Sequence, residues 1–142
     1  PFQIFEGAND VLYQQVAEAV LKQMRRAKES NLYQFLQQDD LTARAADYFR
    51  ETLSFDVDLS LPQRKLVALG EALSRVMSME MTIELGERGY RRDLIDQALA
   101  ELRGDEQELV TRFRAEGVQG LIDDYRASSD WLGYVQPAPT LR

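Results

Sequence analysis

Apolar residues recur three or four positions apart along most of this chain, which is the spacing of amphipathic helices. The first such stripe runs from residue 10 to about residue 29, and Asn9 or Asp10 is its predicted N-cap. A short helix is predicted over LYQFLQ, residues 32–37, and another over residues 41–53. The positions predicted to face the core in these segments are Leu12, Val16, Ala17, Val20, Leu21, Met24, Ala45, Tyr48, Phe49 and Leu53.

The clearest helix start is the stretch SLPQ at residues 60–63. Ser60 can act as the cap, Pro62 suits the first turn, and Gln63 stands at the return position of a capping box. Gly70 lies inside the predicted helix, and because glycine costs a helix interior about 1 kcal/mol relative to alanine, it indicates that another helix approaches closely there. The apolar stripe of this helix comprises Leu66, Leu69, Leu73, Val76, Met77, Met81 and Leu85, and GERG at residues 86–89 ends it.

Two or three shorter helices are predicted, over about residues 91–102, 106–116 and 121–132, separated by Gly104 and by the turn GVQG at residues 117–120. GYVQPAPTLR, residues 133–142, contains two of the four prolines and predicts an extended tail. Only FDVDL at residues 55–59 alternates like a strand. The pattern therefore predicts an all-α fold, an antiparallel helical bundle with short connections. Three aromatic residues are predicted to anchor the last helix and the tail to the bundle: Tyr125, Trp131 and Tyr134.

The composition narrows the chemistry that this chain can perform. With 142 residues, of which 44% are hydrophobic, it is long enough for one compact domain. It has no cysteine and no histidine, which excludes disulfides, thiol nucleophiles, imidazole bases and the usual zinc ligand sets. Acid or base chemistry therefore falls to carboxylates, tyrosine or lysine. The net charge of −7 argues against a nucleic-acid surface and disfavours an anionic membrane.

No targeting or membrane segment is predicted. No apolar run approaches the roughly 20 residues that a membrane-spanning helix needs, and no basic-then-apolar signal opens the chain. The chain is therefore expected to be soluble and intracellular. Its first residue is Pro1, with no methionine before it, which hints at a fragment.

The stretch IFEGAND at residues 4–10 is the most motif-like part of the chain. An aromatic residue, a glutamate, a glycine, an alanine, an asparagine and an acidic residue follow one another directly before an amphipathic helix. This order resembles the catalytic-loop signature of the acyl-CoA dehydrogenases. The resemblance implies that Glu6 is the base that removes the α-proton of an acyl-CoA thioester, while the β-hydrogen leaves as hydride to FAD.

The residues after Glu6 correspond by position to binding residues of that family. The resemblance places Gly7 against the substrate, and a residue without a Cβ atom allows such a close approach. It places Ala8, Asn9 and Asp10 in contact with FAD at the start of a helix, where free backbone N–H groups suit a polar or anionic ligand. Ala8 departs from the family pattern, in which threonine is commonest, so a hydroxyl contact to the flavin is absent here.

The resemblance also suggests how the chain is organised. Acyl-CoA dehydrogenases of the very-long-chain branch continue after the catalytic loop into an additional C-terminal helical domain. Residues 1–29 would then be the catalytic loop with its helix, and residues 30–142 the additional domain. The chain is expected to be a C-terminal fragment of an FAD-dependent enzyme of fatty acid β-oxidation, in the cytoplasm or, in a eukaryote, the mitochondrial matrix. The parent's remaining domains would be its partners and would bind FAD and acyl-CoA, so the fragment alone is expected to be inactive and to hold no cofactor.

Two other interpretations remain open. Asn and Asp before an apolar run are ordinary N-caps, and a glutamate near a helix N-terminus is favoured by the helix dipole, so Glu6 can be purely structural. Alternatively, the chain is a stand-alone helical interaction or oligomerisation module that uses the long helix as a docking surface. Met77, Met79 and Met81 suit such a surface, although core packing is the favoured interpretation of methionines at helical spacing.

Three acidic features are given structural rather than catalytic interpretations. Glu80 falls on or beside the apolar stripe of the long helix, where an arginine such as Arg75 or a neighbouring helix would satisfy it. Two adjacent aspartate pairs lack further oxygen ligands at fixed spacing and are therefore predicted to lie in turns or on the surface, not to bind metal. These pairs are Asp39 with Asp40 and Asp123 with Asp124.

Overall fold

The computed structural model describes the backbone of residues 2–115 and the side chains of residues 9–115. Within this range the chain forms six α-helices and no β-strand, and Asn31 and Asp56 form an isolated bridge in place of the predicted strand-like segment. The helices are α1 (Phe2–Ala27), α2 (Leu32–Gln37), α3 (Ala43–Tyr48), α4 (Arg50–Leu53), α5 (Gln63–Glu87) and α6 (Arg92–Arg114). The prediction of an all-α bundle is confirmed. The predicted helix over residues 121–132, the tail, Tyr125, Trp131, Tyr134, Asp123 and Asp124 lie outside the described residues.

The long helix α5 lies at the centre of the bundle, because it packs against α1, α3 and α6. Its contact with α1 is close enough to involve the backbone itself. A Cβ atom placed on Gly70 would lie 1.9 Å from the carbonyl oxygen of Tyr13 and 2.7 Å from its Cα. Only glycine fits at this position, and the close helix approach predicted from Gly70 is confirmed.

The apolar core is built from all six helices. Helix α1 contributes Ala17, Leu21 and Met24, as predicted, and the short helices α2 to α4 close the core on one side. The predicted burial of Ala45, Phe49 and Leu53 is also confirmed. Six residues predicted to face the core are instead exposed: Leu12, Val16, Tyr48, Met77, Met81 and Leu85.

The signal that begins α5 differs from the predicted capping box. Pro62, not Ser60, is the N-cap residue, and no side chain caps the helix. The backbone N–H of Ser60 donates to the Asp58 carboxylate at 2.8 Å, which holds Ser60 within the preceding turn. Gln63 is the first helical residue, and its amide donates to Gln14 of α1 at 3.1 Å. The start of the helix was therefore predicted correctly, but the residues that define it were not.

The helix boundaries at Phe49 and Gly104 differ from the predicted ones. The segment over residues 41–53 is divided into α3 and α4 at Phe49, whose side chain is almost fully buried and whose backbone has φ −99° and ψ 17°. The predicted break at Gly104 does not occur, since α6 runs through it. No atom lies within 4 Å of a Cβ placed on Gly104, so this glycine weakens the helix without ending it.

These two helix-interior glycines predict opposite effects of the same substitution. Gly70→Ala is expected to destabilise the chain by about 1–3 kcal/mol, because the new methyl group overlaps the backbone of Tyr13. Gly104→Ala is expected to stabilise it by about 0.5–1 kcal/mol, because the methyl group meets open space and favours helix. Urea unfolding of both variants beside the unsubstituted chain measures the difference. A Gly70→Ala chain as stable as Gly104→Ala would contradict the described α1–α5 contact.

Candidate functional site

The motif residues lie within the first turns of α1, which begins at Phe2. The prediction that Asn9 or Asp10 is the N-cap of this helix is therefore wrong. Phe, Gln, Ile and Glu are all compatible with a helix, and Gly7 alone costs only about 1 kcal/mol relative to alanine. Nothing in the local sequence therefore stops the helix from extending ahead of Asn9.

Because α1 begins at Phe2, fewer backbone N–H groups of the motif are available to bind a ligand. In an α-helix each N–H from the fifth residue onward donates to the carbonyl four residues before it. The N–H groups of Ala8, Asn9 and Asp10 are therefore used within α1 and do not stand at the start of a helix, as the sequence had indicated. Any contact from this segment to a ligand falls to side chains, of which those of Asn9 and Asp10 are exposed.

A groove lies beside the end of the motif, between α1 and α5. Its volume is about 330 Å³, and it brings a carboxylate, a guanidinium and two amides together around a small apolar floor. Such a set of groups can bind a polar ligand, and it contains no hydroxyl, thiol or amine group. The lining residues are Asp10, Val11, Gln14, Gln63, Arg64 and Val67.

Glu80 joins α5 to α3. Its side chain is nearly buried, with 5% of its surface exposed. One carboxylate oxygen accepts a hydrogen bond from Arg44 Nε, and the other accepts from the backbone N–H of Ala45 at 2.9 Å. Arg44 also pairs with Glu87, and these hydrogen bonds to Glu87 and Glu80 raise the pKa of Arg44 above its ordinary value. The arginine therefore stays charged and fixes the carboxylate in place.

The predicted partnership of Glu80 was partly correct. A neighbouring helix satisfies the carboxylate, as expected. Arg75 does not, because it lies on α5 itself and its Nε is 3.7 Å from the carboxylate of Asp105 on α6.

Glu106 on α6 is a second buried carboxyl group, and the sequence did not indicate it. The residue is fully buried, and neither carboxylate oxygen has a hydrogen-bond partner among the described residues. Burial raises the pKa of Glu106 to about 8, although the positive charge of Arg75 acts in the opposite direction. At neutral pH the Glu106 carboxyl is therefore mainly protonated and neutral.

An apolar ridge is exposed on α5, and we call it the methionine face. It consists of Met77, Met81 and Leu85, which are spaced by four residues and so lie on one side of the helix. Met77 and Met81 are 47% and 65% exposed, whereas Met79 is fully buried. The favoured interpretation of the methionines as core residues therefore holds for Met79 only.

Among residues 9–115, no group of three or more acidic side chains could hold a metal ion. Asp39 has a turn role, since its carboxylate accepts a hydrogen bond from the backbone N–H of Leu41 at 2.9 Å. None of the helices α1 to α6 is long and apolar enough to cross a bilayer.

A scan against protein-family models and searches of curated proteins and of solved structures find no match to this chain. Its functional interpretation therefore depends on the motif residues and on the geometry of the helices.

Arg44 pairs with two carboxylates, Glu80 and Glu87, and removing each is expected to lower the stability of the chain by a different amount. Glu80→Ala is expected to cost about 1–3 kcal/mol, because it leaves the buried N–H of Ala45 unpaired. Glu87→Ala removes the exposed partner of Arg44 and is expected to cost less than about 1 kcal/mol. Thermal and urea unfolding of both variants check this order. Equal losses would mean that the Glu80 carboxylate does not hold α3 on α5.

Proposed function

We propose that this chain is the C-terminal portion of an FAD-dependent acyl-CoA dehydrogenase and that Glu6 is the catalytic base of the parent enzyme. The observation that carries the proposal is the stretch IFEGAND, which leads directly into the long helix α1 of an all-α bundle. In such an enzyme the reaction forms a double bond between the α and β carbons of a fatty acyl-CoA.

The role of Glu6 follows from the chemistry of the thioester. The α-C–H bond is a weak acid, so a carboxylate removes its proton only where the developing charge on the thioester oxygen is stabilised and water is excluded. Bound FAD supplies the hydride acceptor. Glu6 supplies the base, and Gly7, which has no side chain beyond hydrogen, leaves room for substrate beside it.

The described residues do not by themselves enclose a flavin. Asn9 and Asp10 are exposed on α1, and the groove beside Asp10 is small and bordered by two helices only. Ala8 also lacks the hydroxyl group found at this position in most of the family. The parent's remaining domains are therefore the partners that bind FAD and acyl-CoA, and this chain contributes the base.

The proposal predicts the effect of removing the base from the complete enzyme. In the product of the whole reading frame that contains this chain, Glu6→Gln is expected to slow reduction of bound FAD by acyl-CoA by about 10²–10⁴-fold, which is the usual contribution of a positioned base. Bleaching of flavin absorbance under anaerobic conditions measures the rate. Glu18→Gln, an exposed substitution on the same helix, is the control and should leave the rate unchanged.

Two results would contradict this proposal. A Glu6→Gln enzyme that reduces FAD at the unsubstituted rate, with equal FAD content, would remove Glu6 as the base. Turnover of acyl-CoA by this chain alone would contradict the dependence on other domains.

The exposure of the methionine face favours a second candidate function, an oligomerisation module that pairs with another copy of this chain. Large apolar side chains on one exposed helix side are typical of helix-docking surfaces, and methionine adapts its shape to a partner. This face lies on the same side of α5 as Gly70, seven residues before Met77, where α1 already packs.

The second candidate predicts concentration-dependent association of the chain. Met81→Lys is expected to weaken self-association at least about tenfold, because the ammonium group would be buried in an apolar contact. Gln107→Lys adds the same charge at an exposed site on α6 and is the control. Sedimentation equilibrium measures both. A chain that stays monomeric at high concentration, or that associates equally with Met81→Lys, would exclude this function.

A further inference from the structure

The C-terminal half of helix α6 is buried through one set of side chains. Its buried residues are Glu106, Leu109, Val110 and Phe113, which follow the i, i+3, i+4, i+7 spacing of a single helix face. Before Glu106 the packing of α6 is shallower, since Leu99 and Leu102 are partly buried against the core. One of the four buried side chains in the C-terminal half of α6 is therefore a carboxyl group.

The buried position of the Glu106 carboxyl group favours its neutral form. Glu106 is fully buried and its two oxygens have no hydrogen-bond partner among the described residues. Arg75 Nε is also buried without a hydrogen bond, and its ion pair is with Asp105, not Glu106. Burying an ionised carboxylate without partners costs far more than burying the neutral acid, so docking and protonation are coupled.

Helices α5 and α4 pack against α6. Their charged residues include Lys65, Glu71 and Arg75 on α5 and Arg50 and Glu51 on α4. Lys65 lies over the ring of Phe113, 5.6 Å from its centre, and Arg50 lies over the ring of Tyr33. Arg75 is the cation that favours the ionised form of Glu106, and its effect is smaller than that of burial.

We propose that Glu106 is a proton-dependent anchor: the C-terminal half of α6 stays docked on α5 and α4 while the Glu106 carboxyl is neutral, and is released when that carboxyl ionises. Burial raises the pKa of Glu106 from 4.5 to about 8 in the folded chain. Its contribution to stability is therefore complete below about pH 4.5 and is lost as the pH rises through about 8. Between these values the docked state binds one more proton than the released state, so the opening equilibrium constant rises by up to about tenfold per pH unit.

Few other groups of this chain are expected to titrate in the pH range where Glu106 ionises. There is no histidine and no cysteine. Ordinary carboxylates titrate near pH 4, and tyrosine and lysine near pH 10, so between about pH 6 and pH 8.5 the terminal amino group is the other expected titrating group. A variant without the Glu106 carboxyl retains that amino group. The difference in pH dependence between the unsubstituted chain and this variant therefore reports Glu106.

The test compares the complete 142-residue chain with Glu106→Gln and Glu108→Gln variants by urea unfolding between about pH 6 and pH 8.5. Glu108 is an exposed glutamate on the same helix and serves as the matched control. The unsubstituted chain and Glu108→Gln are expected to show an unfolding constant that rises at least about tenfold across this range, whereas Glu106→Gln shows no such rise. Glu106→Leu, which also lacks the charge, is expected to behave like Glu106→Gln if the amide variant does not fold.

Amide hydrogen exchange locates the opening. After correction for the intrinsic pH dependence of exchange, protection of amides in the C-terminal half of α6 is expected to fall on raising the pH, while α1 and α5 keep theirs. A flat unfolding constant in the unsubstituted chain, or the same rise in Glu106→Gln, would overturn the proposal. A loss of protection spread evenly over α1, α5 and α6 would overturn local release.

Discussion

The backbone contact between Tyr13 and Gly70 determines how α1 lies on α5, and the rest of the bundle is arranged around α5. Backbones can approach this closely only where one of them carries no Cβ atom. The contact brings the first half of α5 against α1 and leaves its other sides available to α3 and α6. The same α5 side continues from Gly70 to Met77 and Met81, where no described helix covers it. This side of α5 is therefore packed against α1 at Gly70 and exposed at Met77 and Met81.

Two buried carboxyl groups show how differently one bundle can accommodate the same side chain. Glu80 accepts hydrogen bonds from Arg44 and from the backbone of Ala45, so it ties α3 to α5 as a fully satisfied ion. Glu106 has no such partners, and its burial is tolerated in the neutral form. The difference comes from geometry: Arg44 reaches Glu80 from another helix, whereas Arg75 is held beside Asp105. Hydrogen bonds, more than nearby charge, decide whether a carboxylate is stable in this core.

Much of the helical pattern could be predicted from the sequence, because apolar spacing and turn residues act locally. The bounds of α2 and the start of α5 follow from such signals, and Gly70 correctly indicated a close helix approach. Gly104 carried the same local signal but lies in open space, so glycine alone does not distinguish the two cases. The predicted break at Gly104 also separated Glu106 from α6, although its spacing to Leu109, Val110 and Phe113 was available as a signal. The division at Phe49 depends on tertiary packing, which periodicity does not contain.

The two candidate functions place different demands on the same framework. Catalysis by Glu6 requires the first turns of α1 to face domains outside this chain, whereas oligomerisation requires the methionine face of α5 to meet another copy. The motif lies on α1 and the methionine face on α5, and these two helices meet at Tyr13 and Gly70. The two candidate functions therefore use different helices, so each can be tested without the other.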